Sequence, residues 1–421
     1  MKNFRSIKGT HDILPEDSYK WRHLESIVHQ VCAQFGYQEI RTPIFEQNKL
    51  FSRSVGEESD IVTKEMYSWE DKENSLLTLR PELTAPVARA YNQHNLGNLS
   101  PIHRFYYIGP LFRRERPQKG RQRQFHQFGI EAFGSNFAEQ DAEIIALAWH
   151  LLAHFRLTNK IDLQVNSIGT SECRAGYRDA LKQFLKPHFD ELSEISKRRF
   201  NTNPLRILDS KNKKEQTILK NGPIISDYYT KDDKEHFNEV KTYLKAMNIP
   251  FTINSGLVRG LDYYTKTVFE ITSNELGSQD ALLGGGRYDS LVETLGGKPT
   301  PGIGFAAGIE RILLLINEEN FKEHKPVPDI YLICLEKKGI PVSLNIAKIL
   351  RLKGLNIVSD PLRRSMKAQM RDANKLRARY VLILGESELK DNTIIFKNLE
   401  SGKQESIKQE KIVKYFDNLT N

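Results

Sequence analysis

The fold is decided by residues 104–134, RFYYIGPLFRRERPQKGRQRQFHQFGIEAFG. Two apolar, strand-like segments flank the loop RRERPQKGRQR, in which six basic residues accompany one acidic residue. Pro117 and Gly120 favour a turn within that loop. The stretch therefore predicts an antiparallel hairpin whose two strands are joined by a long basic loop.

The returning strand of this hairpin carries polar residues among apolar neighbours. Gln127, Gly129 and Glu131 share one face, because side chains alternate along a strand. Arginines in the adjoining loop can bind phosphates through paired hydrogen bonds. We interpret this face as the floor of a polar pocket. The alternative, a solvated surface hairpin, explains the basic loop but leaves Gln127 and Glu131 unexplained.

A second polar group precedes another strand, in LVRGLDYYTKTVFEI, residues 257–271. The segment TKTVFEI alternates polar and apolar residues, as a strand with one buried face does. The start of this strand carries Arg259, Asp262, Tyr263 and Tyr264. We expect this group to form a wall of the pocket, opposite the basic hairpin, although the sequence gives Asp262 no clear role.

Two glycine-containing stretches follow that strand. In PGIGFAAGIERILLL, residues 301–315, Arg311 lies inside an apolar helical run, which predicts that its side chain points into a site. Snorkelling of this side chain to solvent is the alternative. LLGGGRYDSL, residues 282–291, lacks the spacing of a phosphate-binding or dinucleotide-binding loop. Its three glycines permit a tight turn or a close approach of the backbone to a ligand, and the stretch by itself predicts a turn.

The rest of the chain divides by composition into two domains. The first domain, 1–325, opens with a helical pattern at residues 18–35 and is interrupted by a charged segment, 171–247, which we interpret as a helical insertion. The polar linker NEENFKEHKPVPD follows. Strand and helix patterns then alternate through 326–421, which predicts a small, largely parallel α/β domain. The predicted fold class is α/β.

The composition indicates which cellular compartment to expect for the chain. The chain has 421 residues, of which 39% are hydrophobic and 27% charged, as in ordinary globular proteins. No apolar run approaches the roughly 18 residues of a membrane span, and no secretory signal is visible. Cys32, Cys173 and Cys334 have neither disulfide-framework nor metal-site spacing. We expect a cytoplasmic protein without membrane contact.

The net charge of +9 is concentrated towards the C-terminus. Residues 326–421 hold 18 Lys and Arg against 11 Asp and Glu, a net charge of +7, which leaves +2 for the first 325 residues. Within this region a helical pattern spaces four basic residues four positions apart, so that they form one stripe: Arg363, Lys367, Arg371 and Lys375. Such a stripe suits a nucleic-acid backbone, and a solvated helix face is the alternative.

Taken together, these segments resemble the histidyl-tRNA synthetase family of class II aminoacyl-tRNA synthetases over nearly the whole chain. KGTHDILP and LTLRPELTAPVARA match near the N-terminus. FRRERPQKGRQRQFHQFGIEAFG and GIGFAAGIERILLL resemble the second and third class II motifs. LVRGLDYYTKTVFE and ALLGGGRYD resemble the two histidine-specific motifs. The order and spacing of these motifs are very specific.

The resemblance implies an α+β catalytic domain on a mainly antiparallel sheet, a homodimer and a C-terminal anticodon-binding domain. It implies that L-histidine attacks the α-phosphate of ATP to form histidyl-adenylate, and that tRNA(His) then receives the histidyl group. Mg²⁺ is expected to accompany the phosphates of ATP, and no residue is assigned as a metal ligand. Negative charge develops on oxygens in both steps, so fixed cations should dominate catalysis.

Site residues follow from the resemblance by their place in the motifs. Catalysis is implied for Arg113 and Arg259, at the α-phosphate. Histidine binding is implied for Glu82, Thr84, Arg113, Gln127, Glu131, Arg259, Tyr263 and Tyr264. ATP binding is implied for Arg113, Glu115, Arg121, Phe125 and Arg311. Contacts with the acceptor end of tRNA are implied for Arg116 and Gln118. The C-terminal stripe of four basic residues is added from its charge alone.

Three other functions compete with this interpretation. The first is a synthetase-like regulatory subunit of histidine biosynthesis, which shares the catalytic fold without aminoacylation activity. It typically lacks the anticodon-binding domain and has degraded histidine-specific motifs, whereas this sequence keeps both Arg113 and Arg259. The second is a class II synthetase for threonine, proline or glycine. The third is an RNA-binding protein that forms no adenylate.

Overall fold

The computed structural model describes residues 3–56, 59–208, 210, 212–277 and 280–420. The chain forms two compact units, which divide between Glu323 and His324. None of the helices in these described ranges is both long enough and apolar enough to cross a membrane.

The first unit combines helices and strands throughout. Its helices are α1 (Pro15–Gln34), α2 (Asn48–Val55), α3 (Thr84–Gln93), α4 (Ala138–His154), α5 (Ser171–Leu185), α6 (Glu194–Thr202), α7 (Lys213–Leu219), α8 (Lys231–Ala246), α9 (Leu291–Thr294) and α10 (Ile309–Leu315). Its strands are β1 (Gln38–Glu39), β2 (Phe45–Gln47), β3 (Tyr67–Glu70), β4 (Leu76–Leu79), β5 (His103–Phe112), β6 (Gln124–Phe133), β7 (Asp162–Ser167), β8 (Thr252–Ile253), β9 (Thr265–Thr272), β10 (Ala281–Arg287) and β11 (Gly302–Gly308).

A large sheet forms the centre of this unit. Among the described residues it has eight strands in the order β1-β5-β6-β11-β10-β9-β7-β8. Its six inner strands are antiparallel, and only the short end strands pair in parallel. The predicted hairpin is confirmed, because β5 and β6 pair along their full length from His103 opposite Phe133 to Phe112 opposite Gln124. The predicted α/β fold class and the mainly antiparallel sheet are confirmed.

Helices α1, α4 and α8 contribute to the main core of this unit, together with strands of the sheet. The predicted first helix is confirmed, although it starts earlier, at Pro15, and ends at Gln34. Its Leu24, Val28 and Val31 are fully buried. Gly36 follows the helix with a φ of 75°, a left-handed conformation that glycine adopts without strain.

The glycine-rich stretch is a strand and not the predicted turn. Gly284, Gly285 and Gly286 all lie within β10, between β9 and β11. A Cβ atom on Gly285 would overlap with the carbonyl oxygen of Gly304, and a Cβ atom on Gly284 would overlap with the guanidinium of Arg259. Close neighbours therefore account for these glycines, a strand backbone at Gly285 and a guanidinium at Gly284, and both neighbours lie outside the stretch itself.

The segment predicted as an insertion consists mainly of helices α5 to α8 and short 3₁₀ turns. Helix α8 begins with a capping box, in which Thr230 and Asp233 bind each other's backbone N–H groups. The boundaries of this insertion, and the domain limits at 325 and 326, stay predictions.

The second unit is smaller and has its own sheet. It contains β12 (Ile330–Cys334), α11 (Ile340–Leu352), β13 (Ile357–Ser359), α12 (Met366–Lys375), β14 (Tyr380–Leu384), α13 (Glu386–Lys390), β15 (Thr393–Asn398), β16 (Gln404–Lys408) and α14 (Ile412–Thr420). The strand order is β13-β12-β14-β15-β16, in which the first three strands are parallel and the last two pairings antiparallel. The largely parallel arrangement is thus right for three strands. The short connection between β15 and β16 permits only antiparallel pairing.

The predicted basic stripe needs one correction. Lys367, Arg371 and Lys375 are exposed on α12, but Arg363 precedes the helix and has a φ of 50°. The helix starts later because Ser365 caps it, its hydroxyl accepting a hydrogen bond from the backbone N–H of Ala368. Arg363 therefore belongs to the turn before the helix and does not extend the stripe.

Candidate active site

A cavity of about 290 Å³ opens in the first unit. The structure brings eleven of the residues predicted for catalysis, histidine and ATP into its lining: Glu82, Thr84, Arg113, Glu115, Arg121, Phe125, Gln127, Arg259, Tyr263, Tyr264 and Arg311. Glu131 lies behind this lining, fully buried. These residues come from the basic hairpin, the start of α3, the segment before β9 and the start of α10.

Glu131 is the centre of a buried hydroxyl cluster. Its Oε1 accepts hydrogen bonds from Thr84 Oγ1 at 2.7 Å and Tyr107 OH at 3.1 Å, and its Oε2 accepts one from the Tyr288 hydroxyl. Burial raises the pKa of the Glu131 carboxyl to about 8, although hydrogen bonds from these hydroxyls favour its charged form. A carboxyl group with a raised pKa thus lies directly behind the cavity lining.

Tyr107 and Tyr288 were missed in the sequence, where they look like core aromatic residues. Tyr107 lies directly opposite Gly129 on the neighbouring strand. A Cβ atom on Gly129 would lie 2.6 Å from Cε2 of Tyr107 and closer to its hydroxyl. The glycine between Gln127 and Glu131 was the available signal, because it makes room for the tyrosine hydroxyl that binds Glu131.

Glu82 stands just before the start of α3. Its Oε2 accepts a hydrogen bond from the backbone N–H of Thr84 at 2.7 Å, and its Oε1 accepts one from Ala85 at 3.0 Å. Burial raises the pKa of Glu82 to about 7, even though these backbone N–H groups favour the carboxylate. A second carboxyl group of the cavity is therefore poised near neutrality, fixed in place by the helix start.

Arg259 reaches the cavity from the segment before β9. Its Nη1 donates to Oε2 of Glu270 on β9, in an ion pair in which each side chain is 21% exposed. Its guanidinium lies over Gly284 of β10. Among the described residues its buried Nε has no hydrogen-bond partner. The guanidinium is thus anchored at one end and keeps a free donor.

Three more arginines converge from the hairpin and α10. Arg113 donates from Nε to the carbonyl oxygen of Pro81 at 2.9 Å, and its guanidinium lies 5.3 Å from the ring centre of Phe125. Arg311 donates from Nε to the carbonyl oxygen of Gly120 at 2.9 Å. Burial lowers the pKa of Arg311, and the neighbouring Arg121 and Arg113 lower it further. The cluster is suited to an anionic ligand.

The acidic residues at this end of the cavity have partners in the structure. Glu115 pairs with Arg121 at 2.5 Å. Glu310 was missed in the sequence; its Oε1 accepts from the backbone N–H of His126 at 2.9 Å and lies 3.0 Å from the Nδ1 atom of that residue. Within the described part of the chain, no three His, Cys, Asp or Glu side chains form a group that could hold a metal ion.

The two residues predicted to contact the acceptor end of tRNA lie outside the cavity. Arg116 and Gln118 are exposed on the hairpin loop. The backbone N–H and carbonyl groups of Gln118 and Arg121 bind each other at 3.0 and 2.9 Å, which closes a tight turn in this loop. Arg121 lines the cavity from the same turn. The loop therefore connects an exposed basic surface with the buried site.

Known proteins share this architecture along the chain. The family model described as Histidyl-tRNA synthetase matches residues 9–312, and the one described as Anticodon binding domain matches residues 329–419. The histidine--tRNA ligases of Chloroherpeton thalassium and Halothermothrix orenii are 48% and 47% identical to the chain, over 95% and 96% of both sequences respectively. The crystal structure of apo S. aureus histidyl-tRNA synthetase has a TM-score of 0.84 and 36% identity, and the match covers 98% of this chain and 100% of that one.

An antiparallel sheet whose motif arginines converge on one cavity defines a class II aminoacyl-tRNA synthetase. The matching family model and the curated relatives identify which class II family it is. The chain belongs to the histidyl-tRNA synthetase family, as the sequence motifs predicted.

Proposed function

We propose that the chain catalyses the ATP-dependent ligation of L-histidine to tRNA(His) through a histidyl-adenylate intermediate. The observation that carries the proposal is the meeting of two sites at one cavity: a cluster of convergent arginines in its lining and, directly behind that lining, the hydroxyl-bound carboxyl group of Glu131. The first site suits a small polar side chain with two nitrogens. The second suits the phosphates of a nucleotide. Membership of the family supports the same reaction.

In the first step, the histidine carboxylate attacks the α-phosphate of ATP and pyrophosphate leaves. Arg113 and Arg259 are the catalytic residues, which hold the α-phosphate and stabilise the charge that develops on its oxygens. Arg259 suits this role because its ion pair with Glu270 fixes the guanidinium before substrate arrives. Cations that are already in position stabilise a developing negative charge most strongly in a site that is shielded from water.

ATP is bound at the arginine end of the cavity. Phe125 offers a ring face to adenine, Glu115 accepts a hydrogen bond from the adenine amino group, and Arg311 meets the far side of the nucleotide. Arg121 contacts the phosphates. In the structure Glu115 pairs with Arg121 and Arg113 lies over Phe125, so that these side chains satisfy one another until a nucleotide replaces the contacts.

Histidine is bound at the carboxyl end of the cavity. Glu131 and Tyr264 each bind one imidazole nitrogen, with Tyr263 alongside. The α-ammonium group is received by Glu82, Thr84 and Gln127. A pocket whose buried polar groups are satisfied only by imidazole rejects analogues without those nitrogens by roughly 10⁴-fold or more.

Mg²⁺ is expected to bind together with ATP, as part of the substrate. Magnesium usually keeps several waters and binds through phosphates with at most one or two carboxylates. We assign no residue as its ligand, because Glu82, Glu115 and Glu310 are held by other partners. The ion supplies charge neutralisation on the phosphates when it is bound.

Two surfaces are proposed for tRNA. Arg116 and Gln118, on the exposed hairpin loop, contact the acceptor end, so that the terminal ribose hydroxyl can reach the adenylate. The second unit, which matches the anticodon-binding family, carries the exposed Lys367, Arg371 and Lys375 on α12. These three residues form a basic surface for the phosphate backbone, and Arg363, exposed in the preceding turn, is proposed as a separate phosphate contact.

We further propose that the protein works as a cytoplasmic homodimer. The small sheet β2-β4-β3 presents Phe45, which is 53% exposed, and Trp69, which is 40% exposed, with ring centres 6.1 Å apart. Strand alternation places Leu77 and Leu79 on the same face. Contiguous apolar surface of this kind is typical of an interface.

Histidine-dependent exchange of pyrophosphate into ATP by the pure chain tests the reaction, with each of the twenty amino acids as substrate. We expect exchange with histidine alone. Exchange with another amino acid instead would indicate a different class II synthetase. Absence of exchange with all twenty would contradict the proposal and favour the regulatory-subunit or RNA-binding alternative.

A further inference from the structure

Two arginines of the predicted helical insertion, residues 171–247, bind the loop that carries the proposed catalytic residue Arg259. This loop, residues 259–264, has no helix or strand of its own, so its position depends on what holds it. Arg206, in the 3₁₀ turn after α6, donates from Nη2 to the carbonyl oxygen of Gly260 at 3.0 Å. The same group donates to Oδ1 of Asp262 at 2.9 Å from Nη2 and at 3.2 Å from Nε. This contact gives Asp262 the role that its sequence context did not reveal.

The second arginine holds the other end of the loop. Arg174 on α5 donates from Nη1 to the carbonyl oxygen of Tyr264 at 2.6 Å. Tyr264 is itself 6% exposed, with its ring in the cavity lining. One arginine therefore fixes the backbone next to Arg259, and the other fixes the backbone of Tyr264.

The contacts at Asp262 are polar, whereas the side chains of Tyr263 and Tyr264 belong to the buried core and Leu261 packs against it. A cavity of about 550 Å³ lies at this junction, lined by Ser171, Arg174, Ala175, Arg178, Thr202, Asn203, Leu205 and Asp262. Further polar support comes from a hydrogen bond from Asn203 Nδ2 to Asp262 Oδ1 at 3.0 Å and from one between the Asp262 backbone N–H and the carbonyl oxygen of Val55 at 3.4 Å. The two arginines therefore hold the backbone of the loop towards its two ends, while the buried tyrosine rings anchor its apolar side.

We propose that Arg206 and Arg174 are positioning residues, which hold loop 259–264 so that Arg259 and Tyr264 face the α-phosphate and the imidazole. The proposal rests on the proposed function for the meaning of those two positions. Neither arginine lines the substrate cavity. Both act through the loop, so that the helical segment determines the geometry of the catalytic site. A misplacement of about 1 Å at a reacting group can cost about 10²-fold in rate.

The test compares Arg206→Ala and Arg174→Ala with matched arginine controls. Arg198→Ala, on α6, and Arg178→Ala, one turn along α5, remove exposed arginines that make none of these contacts with the loop. Two quantities are measured on the full chain: the kcat and KM values of histidine-dependent pyrophosphate exchange, and amide hydrogen exchange of peptides covering residues 259–264. Peptides from α4 report whether the unit as a whole is still folded.

We expect each test variant to lower kcat by about 10-fold or more, with less than about 3-fold change in the KM for ATP, because the loss is felt in the transition state. Amides of the loop should exchange faster, while α4 stays protected. Both controls should match the wild type. Arg206→Lys covers the case in which Arg206→Ala fails to fold. It keeps the charge beside Asp262 but cannot keep all the hydrogen bonds of the guanidinium, so an intermediate kcat is expected.

Unchanged kcat, or unchanged exchange of the loop amides, in Arg206→Ala or in its lysine substitute would overturn the proposal. A fall in kcat with equal loss of protection in α4 would also overturn it, since that pattern is general destabilisation. If the wild type itself shows no histidine-dependent exchange, the proposed function fails. The hydrogen-exchange comparison then still decides whether the two arginines hold the loop.

Discussion

Substituting Gly284 by alanine should displace Arg259, the proposed catalytic cation, without removing any polar group. The new Cβ atom would lie 2.5 Å from Nη1 of Arg259 and nearer still to Cζ and Nη2. Non-bonded heavy atoms settle at about 3.5 Å or more, so the guanidinium must move by about 1 Å. Because the obstacle is the end of a flexible side chain, the strand itself can stay in place.

The displacement should appear in the rate and hardly in the stability. A shift of about 1 Å at a group that contacts the reacting phosphate costs about 10²-fold in rate, or about 2.7 kcal/mol in the activation barrier. Arg259→Ala is a less clean experiment, because it also leaves Glu270 without its ion-pair partner. Gly284→Ala keeps both charges.

The assay is the kcat of histidine-dependent pyrophosphate exchange, together with the thermal unfolding midpoint. Gly176→Ala is the matched control, because a Cβ atom there would lie at an ordinary contact distance of 3.4 Å from Tyr228. We expect Gly284→Ala to lose about 10²-fold in kcat with an unfolding midpoint within a few degrees of the wild type, and the control to be fully active. A kcat within about 3-fold of the wild type for Gly284→Ala would refute the role given to Arg259.

Three further predictions concern other parts of the chain. Histidine affinity, measured by calorimetry, should rise as the pH increases through about 7, because a raised pKa leaves Glu82 protonated and unable to pair with the α-ammonium group at lower pH. Glu82→Gln should bind more weakly and lose that part of the pH dependence; an unchanged profile would exclude Glu82 from this contact. Asp141→Ala should lower the free energy of unfolding in urea by up to about 3–5 kcal/mol, because it removes the buried carboxylate that Arg287 and His236 share and leaves the buried guanidinium of Arg287 with Asp289 as its carboxylate partner; a loss below about 1 kcal/mol would contradict this. Reversing the charges of Lys367 and Arg371 should weaken tRNA binding and flatten its dependence on log salt concentration by about 1–2, with adenylation unchanged; an unaltered slope would identify α12 as a solvated face only.

The elements that sequence predicts well here are those whose cause is local. Two apolar, strand-like segments on either side of a basic loop predict the hairpin 104–134, and the structure confirms it. Gln127 and Glu131 stood out because polar residues interrupt an otherwise apolar strand. Arg311 stood out for the same reason in a helix, and all three side chains lie in or directly behind the cavity lining.

The features that sequence missed have causes elsewhere in the chain. The three glycines of β10 suggested a turn, whereas one of them makes room for a guanidinium 25 positions away along the sequence. Tyr107 and Tyr288 look like core residues until their hydroxyls are seen to meet Glu131. The partner of Asp262 is Arg206, which lies in the helical segment and is 56 positions away along the sequence.

Arg363 is a different kind of miss, because the local signal was present. Spacing by four residues grouped it with Lys367, yet Ser365 lies between them and is a preferred helix N-cap residue. The periodic pattern alone therefore predicted a helix that begins too early, whereas the capping residue marks the true start.

The most direct test of the central claim is transfer of histidine to tRNA by the pure chain. Radiolabelled histidine, ATP with Mg²⁺ and a tRNA(His) transcript are incubated with the protein, and label in precipitated tRNA is counted. We expect ATP-dependent labelling of tRNA(His) and no labelling of a transcript for another amino acid. Histidine-dependent pyrophosphate exchange without any labelling of tRNA would contradict it.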